Sequence, residues 1–278
     1  MARRKLSMSL IVLIVAATTL VSGTYAWFLV GGFAELFDLG FDVIEAQGGI
    51  QIQGSKGTAF KSKGGESTDW GAYLDRTNFN DGEILAETGK YDPVSSANGS
   101  TFYKVGLEGN YFKSLTPKAG TDYNDFTIKV RSDNDQQINA VMKISMEGDQ
   151  EALNAARISV TYDGNTTIYA ANDTSASAVN TDALPDTTVY DTTGDCIINS
   201  GDDGFSGGYV ATQTCTKLTD SGSGKYEVEH ALNAIPANTS SKTVAVRIWI
   251  EGNDADCTGE KLSQKHLGVT ITFGSAED

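Results

Sequence analysis

Cysteine, histidine and proline are all scarce in this chain of 278 residues. Three cysteines are too few for a fold built on a disulfide framework. Two histidines, His230 and His266, leave little material for histidine-based catalysis or a zinc site. No His-Glu-x-x-His motif occurs, so there is no zincin helix, in which two imidazoles one turn apart hold zinc while the glutamate activates water. No Gly-x-Ser-x-Gly elbow of a serine hydrolase is read either. Four prolines exclude a Pro-rich stalk. Basic residues are also in deficit: 21 Lys and Arg face 36 Asp and Glu, a formal charge of −15.

Three of the cations, Arg3, Arg4 and Lys5, sit at the very start. Without the first 26 residues, 18 cations remain against 36 acids, a net of −18. Such a surface repels phosphate backbones and anionic lipid, which argues against nucleic-acid binding. It keeps an exported protein soluble.

Hydrophobic residues form 40% of the chain, enough for a core. Thirty glycines, with many Thr, Ser, Asn and Asp, suit short strands joined by turns.

The first residues read as a leader. Arg3, Arg4 and Lys5 make a positive start, and Leu6 to Val21 is apolar. Small residues follow, with Thr24 and Ala26 at the −3 and −1 positions of a cut between Ala26 and Trp27. This is the layout of a secretory signal peptide, and signal peptidase is the implied partner. No charge interrupts the chain between Lys5 and Glu35, so an uncleaved anchor is the competing reading, since ~20 apolar residues cross a bilayer. Both readings place the rest of the chain outside the membrane, extracellular or at the cell surface, with membrane contact only through this segment.

Beyond the cut, Phe37, Leu39, Phe41 and Val43 alternate with Asp38, Gly40 and Asp42, the period of a half-buried strand. It is either the first strand of the domain's own sheet or an assembly strand that docks on a neighbouring subunit, giving self-association into oligomers or fibres.

Period two recurs downstream. Phe126, Ile128 and Val130 share a face, as do Ala140, Met142, Ile144 and Met146. So do Ile158, Val160 and Tyr162; Val244, Val246, Ile248 and Ile250; and Val269, Ile271 and Phe273. Asp163-Gly164 signals a hairpin. Gln150 to Ala156 suits one short helix capped by Asp149. The reading is an all-β, antiparallel β-sandwich, jelly-roll-like, with one short helix. It forms a single domain over 27–278, with long polar insertions near 54–122 and 172–224.

Asp202 and Asp203 in one polar loop, and Asp254 and Asp256 in another, are candidate calcium ligands, because calcium takes several loop oxygens. Neither loop has EF-hand spacing, and turn chemistry alone explains such clusters. No other cofactor is read. Cys196 and Cys215 flank one polar loop, where a disulfide would contribute about 3 kcal/mol. Cys257 is an equal rival as partner, and one thiol is left over in either case.

The leader end Gly23-Thr24-Tyr25-Ala26-Trp27-Phe28 resembles the SipW-type leaders of Firmicutes, from which a dedicated signal peptidase releases TasA and camelysin-like matrix proteins. Gly49-Ile50-Gln51-Ile52, Val130-Arg131-Ser132, Ala156-Arg157-Ile158-Ser159-Val160 and Ile248-Trp249-Ile250-Glu251-Gly252 extend the likeness to a broader group of exported Firmicute proteins. Resemblance to TasA implies a jelly roll and biofilm fibres in which one subunit's N-terminal segment adds a strand to the next. The mature start is more apolar than a typical TasA start, and the Cys-bearing loops have no counterpart there. The expected function is a non-enzymatic structural protein of the matrix or cell surface. The alternative is a membrane-anchored adhesive or ligand-binding β-domain, with a secreted hydrolase a distant third.

Overall fold

A computed structural model describes residues 36–37, 39–85, 90–172, 175–179, 189–262 and 265–276. The frame consists of strands β1 (Leu39–Ala46), β2 (Ile50–Gln53), β3 (Asn124–Ser132), β4 (Ile138–Gly148), β5 (Ala156–Tyr162), β6 (Asn165–Ala170), β7 (Lys225–Ile235), β8 (Lys242–Ile250) and β9 (Leu267–Ser275). One sheet runs Thr216–Lys217, β6, β5, β8, β3, β2. The other runs Thr219–Gly222, β7, β4, β9, β1, Tyr73–Leu74, Ala59–Phe60, Ser67–Thr68.

From β3 onward the chain crosses between the sheets at nearly every step, apart from the β5–β6 hairpin in the first sheet and the hairpin of Thr219–Gly222 with β7 in the second. The four-strand blocks β3-β8-β5-β6 and β1-β9-β4-β7 have the strand succession of a jelly roll. One departure stands out: β1 runs parallel to β9, whereas β9–β4 and β4–β7 are antiparallel.

The alternating residues make the core. Phe126, Ile128 and Val130 of β3, and Val244, Val246, Ile248 and Ile250 of β8, face Met142, Ile144 and Met146 of β4 and Val269, Ile271 and Phe273 of β9 in one buried cluster. Burying a side chain of this size contributes ~1.5–3 kcal/mol. The hairpin signal is realised, with Asp163 at φ 49° and Gly164 at φ 77°. Positive φ at both central residues matches the right-handed twist of the flanking strands.

Two local readings change. The helix forms over Gln150–Ala155 with Asp149 at its N-cap, but the Asp149 side chain does not cap it. Its Oδ2 instead accepts the His266 backbone N–H at 2.8 Å, tying the helix start to the entry of β9. The simple alternation through Val43 is also broken. Leu39 and Phe41 are opposite Leu267 and Val269, but Ile44, not Val43, is opposite Ile271. One extra residue in this stretch resets the phase, as a bulge does, so that Ile44 and Ala46 become the buried positions.

The polar insertions are more ordered than their composition suggests. The stretch with Ala59–Phe60, Ser67–Thr68 and Tyr73–Leu74 extends the second sheet, and segments around Phe102, Phe112, Val179 and Ile198 lie over the outer face of the first sheet as a third layer. Trp249, pointing outward from β8, is fully buried beneath Phe102, with ring centroids 5.2 Å apart in edge-to-face geometry. Phe102 in turn stacks on Tyr123 at 4.1 Å. Beyond them the hairpin Lys104–Glu108/Tyr111–Leu115 and the pair Ser175–Val179/Val210–Thr214 share a small apolar cluster around Phe112, Val179, Val189 and Ile198.

Candidate functional site

A buried polar junction joins this third layer to the sandwich. Arg157 is the second residue of β5 and Glu251 follows the last residue of β8, both on the outward face of the first sheet, and both are fully buried. Burying two charges in this way is unfavourable unless each is paired and saturated with hydrogen bonds.

Both are saturated. Glu251 Oε2 accepts the Ser96 N–H at 3.2 Å, Gln213 Nε2 at 3.0 Å and the Trp249 indole N–H at 3.1 Å. Its Oε1 accepts the Ser95 hydroxyl, and the Asn253 N–H at 3.3 Å. Arg157 donates to Gln213 Oε1 at 2.8 Å, to Asp254 Oδ2 at 2.8 Å, to Ala156 O at 3.0 Å and to Asn154 O. Gln213 therefore bridges the two charges, accepting from Arg157 and donating to Glu251. Ser95 Oγ, besides donating to Glu251, accepts the Val179 N–H at 2.7 Å. Burial pushes the Glu251 carboxyl above the usual glutamate range, while the Ser95 hydroxyl and Arg157 pull it the other way.

The chemistry of this set is cohesion. Ser95 has its proton directed at one partner and a lone pair given to another, and the Glu251 carboxylate already receives five donors. The junction pins strand Val210–Thr214 through Gln213, strand Ser175–Val179 through Val179, and segment 94–96 through Ser95 and Ser96.

The calcium candidates serve as turn and pairing groups. Asp202 Oδ2 accepts the Asn199 N–H at 2.9 Å, and Asp203 sits in an isolated bridge with Tyr190. Asp254 is paired with Arg157; Asp256 accepts Asn154 Nδ2 at 2.7 Å and Lys261 Nζ at 2.7 Å. Among the described residues no group of three or more His, Cys, Asp and Glu is placed to hold a metal ion. Asp254 and Asp256 do line a groove of about 560 Å³, with Ser177, Asn199, Phe205 and Val210 opposite.

The structure holds Cys196, Cys215 and Cys257 without a disulfide between them. Cys215 lies in the Trp249 cluster, its Sγ 3.3 Å from Gln213 Oε1. Cys196 instead shares a small cavity with Cys257. His230 on β7 meets Tyr169 on β6, Nδ1 to hydroxyl 2.6 Å, linking the two sheets, and His266 lies beside Asp149. Gly204-Phe205-Ser206-Gly207-Gly208 does carry Gly-x-Ser-x-Gly spacing, a match the sequence reading passed over. It runs into the short 3-10 turn Gly207–Tyr209 and then a strand, rather than joining a strand to a helix.

Ala26 and Trp27 lie outside the described residues. Phe37 falls in the short strand Leu36–Phe37, paired with Lys90–Tyr91, while Leu39, Phe41 and Val43 fall in β1. The backbone thus makes the first strand part of the chain's own second sheet. Among the described residues no helix is long and apolar enough to cross a membrane.

Sequence reasoning assigned no role to Glu251, Arg157, Gln213 or Ser95. The available signal was a charged residue at the end of an otherwise apolar strand, in Trp249-Ile250-Glu251 and Ala156-Arg157-Ile158.

Fold and junction together define an all-β sandwich with an added outer layer, held to it by a saturated buried polar network. Comparison with known protein families, with curated proteins and with solved structures returns no match.

Proposed function

We propose that this chain is an exported structural protein of the extracellular matrix or cell surface, assembling through its N-terminal strand. The observation that carries the assembly reading is the position of β1. It adds to β9 in parallel, against the antiparallel order of the neighbouring strand pairs. Its first half, Leu39 to Phe41, pairs with Leu267 to Val269, while its pairing with Tyr73–Leu74 involves only Ile44 and Glu45. Over that first half the strand is held by a one-sided backbone ladder, which a copy from another chain supplies equally well. In the assembled form the segment 27–43 takes the place beside β9 of the next subunit that Leu39 to Phe41 occupy in the chain's own sheet, which propagates head to tail. The saturated junction supports a load-bearing role better than a chemical one. The export reading rests on the leader and its resemblance to SipW-type leaders.

The uninterrupted uncharged stretch between Lys5 and Glu35 favours a second reading, a membrane-tethered adhesive domain. N-terminal sequencing of the extracellular protein separates them. A start at Trp27 fits release; an intact Met1 or Ala2 fits the tether. Retention of the whole chain in the cytosol contradicts both.

A further inference from the structure

The cysteine pairing left open by the sequence has a geometric answer. Cys196 lies in the polar insertion and Cys257 in the turn after β8, yet both line one small cavity of about 30 Å³. Ile198, Gly252 and Asn253 line the same space. The segments that carry the two thiols are tied to each other independently of sulfur, through the Asn253 side chain. Asn253 Oδ1 accepts the Ile198 N–H at 2.9 Å and its Nδ2 donates to Ile198 O at 3.4 Å. Asp191 fixes the other side of Cys196, accepting its N–H at 3.2 Å, with Cys196 held at φ 61°. A non-glycine residue in this region is sparsely populated and persists where its surroundings hold it. Cys215 belongs to a different cluster, with Trp249, Phe102 and Ile168.

We infer that Cys196 and Cys257 form the disulfide of the mature protein, stapling the outer layer to the end of β8, and that Cys215 remains a buried thiol.

The bond requires loss of two protons and two electrons from the paired thiols. A disulfide oxidant accepts the electrons, so that oxidised glutathione becomes two glutathione thiols. Burial, with Asp191 and Asp195, pushes the Cys196 thiol up to about 11. Burial, with Asp254 and Glu251, raises Cys257 well above the ordinary thiol value. Thiolate is the attacking species, so oxidation of the folded, reduced protein is slow and closure belongs to folding. The inference stands on geometry and does not require that the chain form fibres.

The test is oxidative refolding of the chain from Trp27 in oxidised and reduced glutathione, alkylation in denaturant, and proteolytic mapping without reduction. The expected map links the Cys196 and Cys257 peptides, with the alkyl group on Cys215. The same link persists in Cys215→Ser and disappears in Cys257→Ser. A Cys196–Cys215 link, three alkylated thiols, or links only between different copies would overturn the inference. The wild-type map decides even if a variant fails to fold.

Discussion

Replacing Glu251 by alanine removes the acceptor around which the junction is built. The Ser96 and Asn253 N–H groups and the Trp249 indole N–H lose their bond to it, and the Ser95 hydroxyl must turn elsewhere. Gln213 is less affected, because its Nε2 also donates to Ser96 O at 2.5 Å. Each buried donor left without a partner costs about 1–3 kcal/mol. Water entering the space of the deleted side chain offsets part of this for one or two of the donors. Relief of the buried carboxylate itself offsets a little more, since burial already disfavours its charged form. The net expectation is a loss of about 3–5 kcal/mol, a large share of the ~5–15 kcal/mol that holds a domain folded. Glu251→Gln keeps one acceptor oxygen and should lose roughly half as much. Urea unfolding at neutral pH, followed by tryptophan fluorescence and circular dichroism, measures both. Limited proteolysis adds a local reading, since the strands Ser175–Val179 and Val210–Thr214 should become the first sites cut. A loss below about 1 kcal/mol for Glu251→Ala, with unchanged proteolysis, would refute the idea that this network holds the outer layer.

Two further outcomes follow from single positions. Burial holds the His230 imidazole below its ordinary value, with Nδ1 placed to accept the Tyr169 hydroxyl. A group depressed in the folded state contributes stability above its unfolded value of ~6.5 and loses it as pH falls through the folded value. Wild type should therefore lose its stability margin over His230→Gln on acidification below about pH 6.5, and a margin that stays constant with pH counts against this assignment. Gly148 ends β4 at φ 146°, and a Cβ there would lie 2.3 Å from His266 O. Gly148→Ala should destabilise by at least ~1–3 kcal/mol by thermal unfolding, and a neutral result would mean the β4–β9 ends separate easily.

The sandwich core was legible because period two survives in β3, β4, β5, β8 and β9, where one face is buried by the facing sheet. The same rule failed in β1, where an inserted residue resets the phase and makes Ile44 the buried position. The outer layer was underread. Its apolar residues, such as Phe102, Phe112 and Ile198, are scattered singly in polar sequence, and only tertiary contact gathers them. The junction was hidden for a related reason. Ser95 and Glu251 are 156 positions apart and Arg157 and Asp254 are 97 apart, so no local pattern announces either contact. The place of Cys196 beside Cys257 is likewise a property of the fold, since spacing left Cys215 equally eligible.

Assembly through the first strand is tested most directly by electron microscopy and sedimentation of the chain beginning at Trp27, side by side with the same chain lacking residues 27–43. The account predicts fibres from the first and a folded, non-polymerising monomer from the second. Fibres of equal length and number from both chains would contradict it.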